Sequence, residues 1–208
     1  SFARRSGRFR AEDELSDREW LSLVDEELSM GAKEFYILGG GEPMLRRELV
    51  LEIIKRVKKE NREYVTEIIS NGTLFKKEDA ETLVRLRHNR ILFSIDGCDA
   101  ETHDYIRGVS GAFEMARGNV MEFVKIKKKL KSDKPVLQMN TVISNRNYNK
   151  ISDIVRFALE MGFNDLALHP MREYEEVSPD MQHLKLDRKQ EGVMYLEIDK
   201  GKKLAEGS

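Results

Sequence analysis

The first candidate functional group in the sequence is a glutamate at the end of a glycine run. Glu42 follows Gly39, Gly40 and Gly41 and precedes Pro43. Glycine adopts positive φ angles readily and lets the backbone approach a ligand closely. A carboxylate at such a turn could bind an ammonium group, a metal ion or a proton. The alternative interpretation is a tight turn that carries a solvated Glu42.

Four further strand-like segments also end in polar side chains. These residues are Ser70 and Asn71, then Ser94 and Asp96, then Asn140 and Thr141, and finally His169. Ser94 and Asp96 are two residues apart, so they would share one face of a strand, which is the inward face if the strands form a barrel. A plain turn accounts for any one of these ends. Five consecutive polar strand ends favour a ligand site, because polar side chains on an apolar strand need partners.

One arginine, Arg107, lies in the segment HDYIRGVSGAF, for which the sequence predicts irregular structure. Its guanidinium could bind a carboxylate or a phosphate through two parallel hydrogen bonds, and a surface arginine is the alternative. The other candidates are weaker. His88, His103 and His183 lack metal-ligand spacing, and Cys98 is interpreted as a small strand-end residue rather than a nucleophile.

The elements that carry these residues alternate between strand and helix. The predicted strands are 34–38, 65–69, 91–95, 136–143 and 166–168. The first helix begins at a capping box of Ser16 and Glu19 and ends at Gly31. One strand and one helix per ~30 residues predict parallel strands with right-handed crossovers, and runs of Ile, Leu and Val indicate strands covered on both faces. This pattern suits an open doubly wound sheet and a barrel equally, and both place function at the carboxyl ends of the strands.

Composition narrows the class of protein. The chain has 208 residues, a net charge of −1 and a single cysteine. No apolar run approaches the ~20 residues that span a bilayer, and the N-terminus lacks the apolar segment of a signal peptide. We therefore expect a cytoplasmic protein with no disulfide framework and no nucleic-acid or membrane partner. Residues 173–208 form an extension without an assigned structure, in which 193–198 could be one strand.

The motifs GGEP, SNGT, SIDG and HDYIRGVSGAF, in this order, resemble the radical S-adenosylmethionine (SAM) superfamily, in particular the branch that modifies peptides or helps to mature cofactors. The resemblance covers residues 16–171. It implies a partial (βα)6 TIM-like barrel and an oxidoreductase or transferase in which a 4Fe-4S cluster and SAM generate a 5′-deoxyadenosyl radical for hydrogen abstraction. It also implies a small-molecule or peptide substrate and an electron donor such as flavodoxin or ferredoxin.

The resemblance further implies a set of SAM-binding residues. The predicted set is Gly40, Gly41, Glu42, Pro43, Ser70, Asn71, Ser94, Asp96, Arg107, Asn140 and His169. Within it, Glu42 is expected to meet the methionyl ammonium and Arg107 the carboxylate. Ser94, Asp96 and Asn140 are expected near the ribose, and His169 near the adenine.

The chain departs from the family pattern because it lacks the CxxxCxxC motif that holds the cluster. A cluster needs thiolate ligands, and Cys98 alone cannot supply three. We therefore expect no metal ligands in this chain and place the cluster cysteines upstream of Ser1. On this interpretation, residues 1–15 are the remnant of a loop that follows the missing motif. Residues 16–172 are then a partial barrel without its first strand, inactive on its own.

Two alternatives to this interpretation stay open. One is true loss of the cluster in a non-catalytic module that binds SAM or a nucleotide. The other is an α/β enzyme that uses the glycines at 39–41 as a phosphate-binding turn, although this turn lacks both G-x-G-x-x-G and a following Lys-Ser/Thr.

Overall fold

The computed structural model describes residues 14–39, 41–171 and 183–207, and its strands form one parallel sheet. The strands are β1 (Glu34–Ile37), β2 (Val65–Ser70), β3 (Arg90–Ser94), β4 (Val136–Ile143) and β5 (Asp165–Pro170). Each described strand pairs with the next one along the chain, in the order β1-β2-β3-β4-β5. A doubly wound sheet reverses its strand order at a switch point, whereas a (βα) barrel does not. The sheet therefore has barrel-type winding, and the predicted fold class is confirmed.

Helices connect the strands. They are α1 (Asp17–Ser29), α2 (Arg47–Glu60), α3 (Lys77–Arg85), α4 (Ala100–Arg107), α5 (Ala112–Leu130), α6 (Ile151–Met161) and α7 (Arg188–Glu206). The predicted start of α1 is confirmed, because the Ser16 side chain accepts a hydrogen bond from Glu19 N while the Glu19 carboxylate accepts one from Ser16 N. This reciprocal cap satisfies two N–H groups that would otherwise lack partners at the helix terminus.

The core lies between the helices and one face of the sheet. On that face, Ile68, Ile91, Phe93, Leu137 and Met139 are fully buried. They pack against apolar residues of α2, α3, α5 and α6 in one continuous cluster. All of these helices therefore cover the same face, as barrel-type winding requires.

The opposite face of the sheet, here called the inner face, is only partly covered in the described residues. Buried and half-buried residues alternate along β2, β3 and β4, and residues of β1 alternate between half-buried and exposed. Leu92 and Val142, for example, are half-buried although they belong to apolar runs. The expectation that both faces are buried was therefore wrong for the described residues, because apolar residue type does not report which face receives the helices.

Two segments differ from the sequence-based expectation. The segment that contains Arg107, predicted to be irregular, forms helix α4, which Asp99 caps at its start and Gly108 ends at a φ of +66°. The candidate strand at 193–198 is instead part of α7. The physical reason is tertiary: Met194 and Ile198, one helical turn apart, pack on Ile143 and its neighbours.

The two ends of the predicted domain scheme are described only in part. The predicted loop remnant at 1–15 is described only at residues 14 and 15, so Ser1 itself lies outside the description. The expectation that the cluster cysteines lie upstream of Ser1 therefore stays a prediction. The predicted extension at 173–208 is described from 183 to 207, where it contains α7.

Candidate functional site

The Glu42 carboxylate is held at the end of the neighbouring strand β2. Its Oε1 atom lies 2.7 Å from Ser70 Oγ and accepts a 3.1 Å hydrogen bond from Met44 N. Its Oε2 atom accepts a 2.7 Å hydrogen bond from Asn71 N. Pro43 occupies the first position of the short 3₁₀ helix that Glu42 caps. Glu42 therefore ties the loop after β1 to the turn after β2.

Glu42 is half-buried and has no cationic partner in the parts of the chain that the structure describes. Its three hydrogen bonds come from neutral donors, which fix its position, and no charged group of the described residues pairs with its negative charge. A half-buried carboxylate in this state favours an external cation. Gly41 beside it is exposed, and Gly40 lies outside the described residues.

The turn after β2 supports Glu42. Ser70 is buried, and its hydroxyl both donates to Glu42 and accepts a 3.0 Å hydrogen bond from Gly72 N. The Asn71 side chain accepts hydrogen bonds of 2.9 and 2.8 Å from Thr73 N and Oγ1. Both predicted site residues of this turn are therefore engaged in shaping it, and their contact with a ligand stays a prediction.

Ser94 and Asn140 are neighbours on the inner face. They are paired in the register of β3 and β4, and both are half-buried. The Ser94 hydroxyl has no hydrogen-bond partner within 14–39, 41–171 and 183–207. The Asn140 Oδ1 atom accepts a 2.7 Å hydrogen bond from Gln138 Nε2. Since β2 Ser70 pairs with Phe93, the residue before Ser94, this pair lies at the same edge of the sheet as Glu42.

Asp96 and Arg107, which the sequence places in two different roles, bind each other. Asp96 is 2% exposed and Ser94 is half-buried, and the common inward face of these two residues stays a prediction. Its Oδ1 atom accepts a 2.9 Å hydrogen bond from Val142 N, and its Oδ2 atom lies 2.7 Å from Arg107 Nε. The N–H of Arg107 Nε does not point at that oxygen, so the contact is an ion pair without a hydrogen bond. Roles for either residue in ligand binding remain predictions.

His169 lies near the end of β5 and is exposed. It is paired with Val142 in the register of β4 and β5, two residues beyond the pair of Asn140 and Ala167. It therefore shares the inner face with Asn140. Thr141, the other polar residue at the end of β4, is buried and donates a 2.7 Å hydrogen bond to the Ile95 carbonyl, so it serves the sheet itself.

Sequence reasoning missed Gln138 and Arg90. Arg90 Nη1 donates a 2.6 Å hydrogen bond to Gln138 Oε1, and Gln138 in turn contacts Asn140. The signal was the period of two: Gln138 precedes Asn140 by two residues on a strand, so both face the same way.

The sequence has a single cysteine, which restricts the metal groups that the chain can bind. The structure shows no group of three or more potential metal ligands within its described ranges. Cys98 is a half-buried free thiol, and burial raises its pKa above the usual value. A 4Fe-4S cluster needs several thiolates, whereas the 208-residue sequence has one cysteine. The residues present therefore do not fit such a cluster, although the acceptor at Glu42 and the polar pair at Ser94 and Asn140 fit the ammonium and hydroxyl groups of SAM.

Comparison with known families agrees with this fold. The family model described as the radical SAM superfamily matches residues 2–158. That match covers most of the 208 residues, so the chain belongs to the radical SAM superfamily.

Two curated relatives place it within that superfamily. The chain is 37% identical over 172 residues to the AdoMet-dependent heme synthase of Methanosarcina barkeri, which covers 80% of this chain and 46% of that protein. It is 29% identical over 153 residues to the PqqA peptide cyclase of Granulibacter bethesdensis, covering 74% of this chain and 38% of that protein. The chain thus spans less than half the length of these relatives. The predicted branch, which modifies peptides and cofactors, is confirmed.

Solved structures support the fold. The structure of native anSMEcpe with bound AdoMet matches 90% of this chain and 51% of its own chain, with a TM-score of 0.69 at 19% identity. Streptococcus suis SuiB matches 91% of this chain and 41% of its own, with a TM-score of 0.69 at 16% identity.

None of the helices within the described residues is long and apolar enough to span a membrane.

Proposed function

We propose that this chain binds SAM at the carboxyl edge of its sheet, with Glu42 as the partner of the methionyl ammonium. The observation that carries the proposal is the state of the Glu42 carboxylate. Three neutral donors hold it in place, and no lysine, arginine or histidine of the described residues pairs with it. An ammonium group would supply the missing positive charge and form charge-assisted hydrogen bonds.

The same carboxylate argues against phosphate binding at this turn. A phosphate placed beside Glu42 would be repelled, because no cation of the described residues lies there to offset the carboxylate. Phosphate-binding turns instead combine backbone N–H groups with a lysine or a helix N-terminus. The glycine run at 39–41 therefore suits a ligand that carries positive charge at this end.

The polar pair on the inner face suits the ribose. Ser94 and Asn140 sit on adjacent strands, which are ~4.8 Å apart in a sheet. Two polar side chains at this separation can each hydrogen-bond one hydroxyl of a vicinal diol. These contacts would orient the nucleoside while Glu42 holds the amino-acid end. The sulfonium, which links these two parts of SAM, would then be fixed in place.

The wider reaction is part of the proposal. We propose that the chain belongs to a cytoplasmic enzyme that abstracts hydrogen from a small-molecule or peptide substrate and receives electrons from a donor such as flavodoxin or ferredoxin. The names of the relatives, a heme synthase and a peptide cyclase, support this class of substrate. The thiolates of a 4Fe-4S cluster would have to come from outside these 208 residues. The residues of this chain would bind and orient SAM and exclude water from it.

The experiment that tests SAM binding compares two ligands by isothermal titration calorimetry. SAM carries the ammonium group, whereas methylthioadenosine keeps the adenosine and the sulfur but lacks the amino-acid part. Glu42→Gln should weaken SAM binding about 10- to 100-fold, the range for a hydrogen bond to a charged group. It should leave the affinity for methylthioadenosine unchanged. Glu48→Gln is the matched control, because the Glu48 side chain is 82% exposed and its one ion pair among the described residues is with Arg47.

Two outcomes contradict the proposal. If neither SAM nor methylthioadenosine binds the wild-type chain, it is not a SAM-binding module. If Glu42→Gln weakens both ligands equally, the carboxylate supports the fold of the loop rather than the ammonium. Thermal unfolding of each variant separates loss of binding from loss of structure.

A further inference from the structure

Three polar side chains of the inner face form a continuous row. Arg90 Nη1 donates a 2.6 Å hydrogen bond to Gln138 Oε1. Gln138 Nε2 donates a 2.7 Å hydrogen bond to Asn140 Oδ1. The row runs from the start of β3 to the predicted ligand-binding position near the end of β4.

The arginine at the start of the row is held by carboxylates on two other strands. Arg90 Nε lies 3.5 Å from Glu67 Oε1 of β2, and Arg90 Nη1 lies 3.3 Å from Asp165 Oδ2 of β5. All three side chains are partly exposed, so each ion pair is weak by itself. Together they keep the guanidinium between the strands, where it reaches Gln138.

The hydrogen bonds of the row all run in one direction, from Arg90 toward Asn140. A guanidinium carries only donors, so Arg90 requires Gln138 to turn its carbonyl oxygen toward it. The amide nitrogen of Gln138 then faces Asn140, which must accept through its own carbonyl oxygen. Asn140 Nδ2 is left pointing away from Gln138, and no acceptor among the residues that the structure describes is bonded to it.

We propose that Arg90 and Gln138 are positioning residues that set the orientation of the Asn140 amide, so that Asn140 presents N–H donors to the ligand. The ligand group it takes is a hydrogen-bond acceptor, which is a ribose hydroxyl oxygen when SAM is bound. This inference rests on the proposed function and deepens it. Without the row, the Asn140 amide is free to turn either its oxygen or its nitrogen toward the ligand.

The experiment is a double-mutant cycle on the affinity for methylthioadenosine, which probes the nucleoside contact without the ammonium. Gln138→Met keeps the length of the side chain but removes both of its polar groups. It should weaken binding about fivefold, the effect of one neutral hydrogen bond. Asn140→Ala should weaken binding by a similar factor. The double variant should bind no worse than Asn140→Ala, because Gln138 acts only through Asn140.

The control is Val136→Thr, which introduces a polar group on the same face of β4, two residues before Gln138, and should leave the affinity unchanged. An equal loss from Gln138→Met with and without Asn140 would overturn the inference, since a general structural role has that signature. No loss from Gln138→Met, combined with a clear loss from Asn140→Ala, would overturn it and leave the proposed function intact. No loss from Asn140→Ala would overturn the inference and the ribose contact of Asn140, whereas SAM binding through Glu42 is decided by the calorimetric titration.

Nuclear magnetic resonance of the wild-type chain gives a test that does not depend on the folding of variants. The side-chain amide signals of Asn140, assigned through their correlations to the Asn140 backbone, should shift when methylthioadenosine saturates the protein. The Gln138 amide signals should shift less, because they already donate to Asn140. Unchanged Asn140 signals in the saturated complex would overturn the inference.

Discussion

Arg107 Nε lies 2.7 Å from Oδ2 of Asp96, and this ion pair joins helix α4 to the end of strand β3. The Asp96 side chain is 3% exposed and that of Arg107 is 31% exposed. The other oxygen of Asp96 is bonded to the backbone of β4, so the carboxylate connects three elements. The pair therefore belongs to the framework of the carboxyl edge of the sheet.

Removal of the arginine should destabilise the fold. Arg107→Met leaves the Asp96 carboxylate buried without its cation, and we expect a loss of ~3 kcal/mol in the free energy of unfolding. The double variant with Asp96→Asn should recover part of this loss, because no unpaired charge remains. Urea denaturation measures both. Arg117→Met is the control, since its pair with Glu114 is exposed and should cost less than ~1 kcal/mol. Equal losses at Arg107 and Arg117 would refute the framework role.

Replacement of Gly72, in the turn that supports Glu42, should destabilise the fold more than replacement of Gly111. Its φ is +78°, and an added Cβ would lie 2.8 Å from Phe93 Cδ1. Gly111 has a similar φ of +80°, but none of the described atoms lies within 4 Å of its added Cβ. Gly111→Ala should therefore cost only the ~1 kcal/mol of backbone strain, whereas Gly72→Ala should cost a further ~1–3 kcal/mol of overpacking. Thermal or urea unfolding compares them, and equal costs would show that the core accommodates the methyl group.

His88 should make the stability of the chain depend on pH. Burial, and to a smaller degree the charge of Lys58, lower the pKa of His88 from 6.5 to about 3. Between these values the unfolded chain binds a proton that the folded chain does not, so stability is complete above pH 6.5 and falls as the pH decreases toward 3. We expect this group to remove roughly 2 kcal/mol between pH 8 and pH 5.

The measurement for His88 is urea denaturation across that range for the wild type and His88→Gln. The variant lacks the titrating group, so its free energy of unfolding should decrease less toward pH 5. Its absolute stability is not the readout, because the substitution also removes the 2.8 Å contact between His88 Nδ1 and Thr66 Oγ1. Parallel pH profiles for the two proteins would contradict the burial argument.

Two glycines of α7 should respond in opposite ways to alanine. An added Cβ at Gly201 would lie 2.9 Å from Val155 Cγ2 of α6, whereas none of the described atoms lies within 4 Å of that at Gly192. Gly192→Ala should stabilise the helix by ~0.5–1 kcal/mol, because alanine loses less backbone entropy. Gly201→Ala should weaken the packing of α7 on α6 by ~1 kcal/mol or more. Circular dichroism during urea denaturation follows both, and a stabilising Gly201→Ala would show that α7 does not pack closely at this point.

The sequence pattern predicted the ends of an element correctly where residues close in sequence define them. The limits of β4 were predicted to the residue, and the capped start of α1 follows from two side chains three positions apart. Helix α4 was missed although Asp99 and Gly108 bracket it, because its buried residues, Thr102 and His103, are polar. Helix α7 was mistaken for a strand over 193–198, because a short apolar run fits both periods until its partners are known.

The sequence by itself determined the alternation of strands and helices, the polar strand ends and the motifs of the superfamily, because each depends on neighbours within a few positions. Only the tertiary structure decided which of those polar groups meet. Glu42 binds the turn at Ser70, 28 residues away, and Asp96 pairs with Arg107 of helix α4. Strand register and helix packing set these contacts through the whole sheet, and no local pattern of residues encodes them.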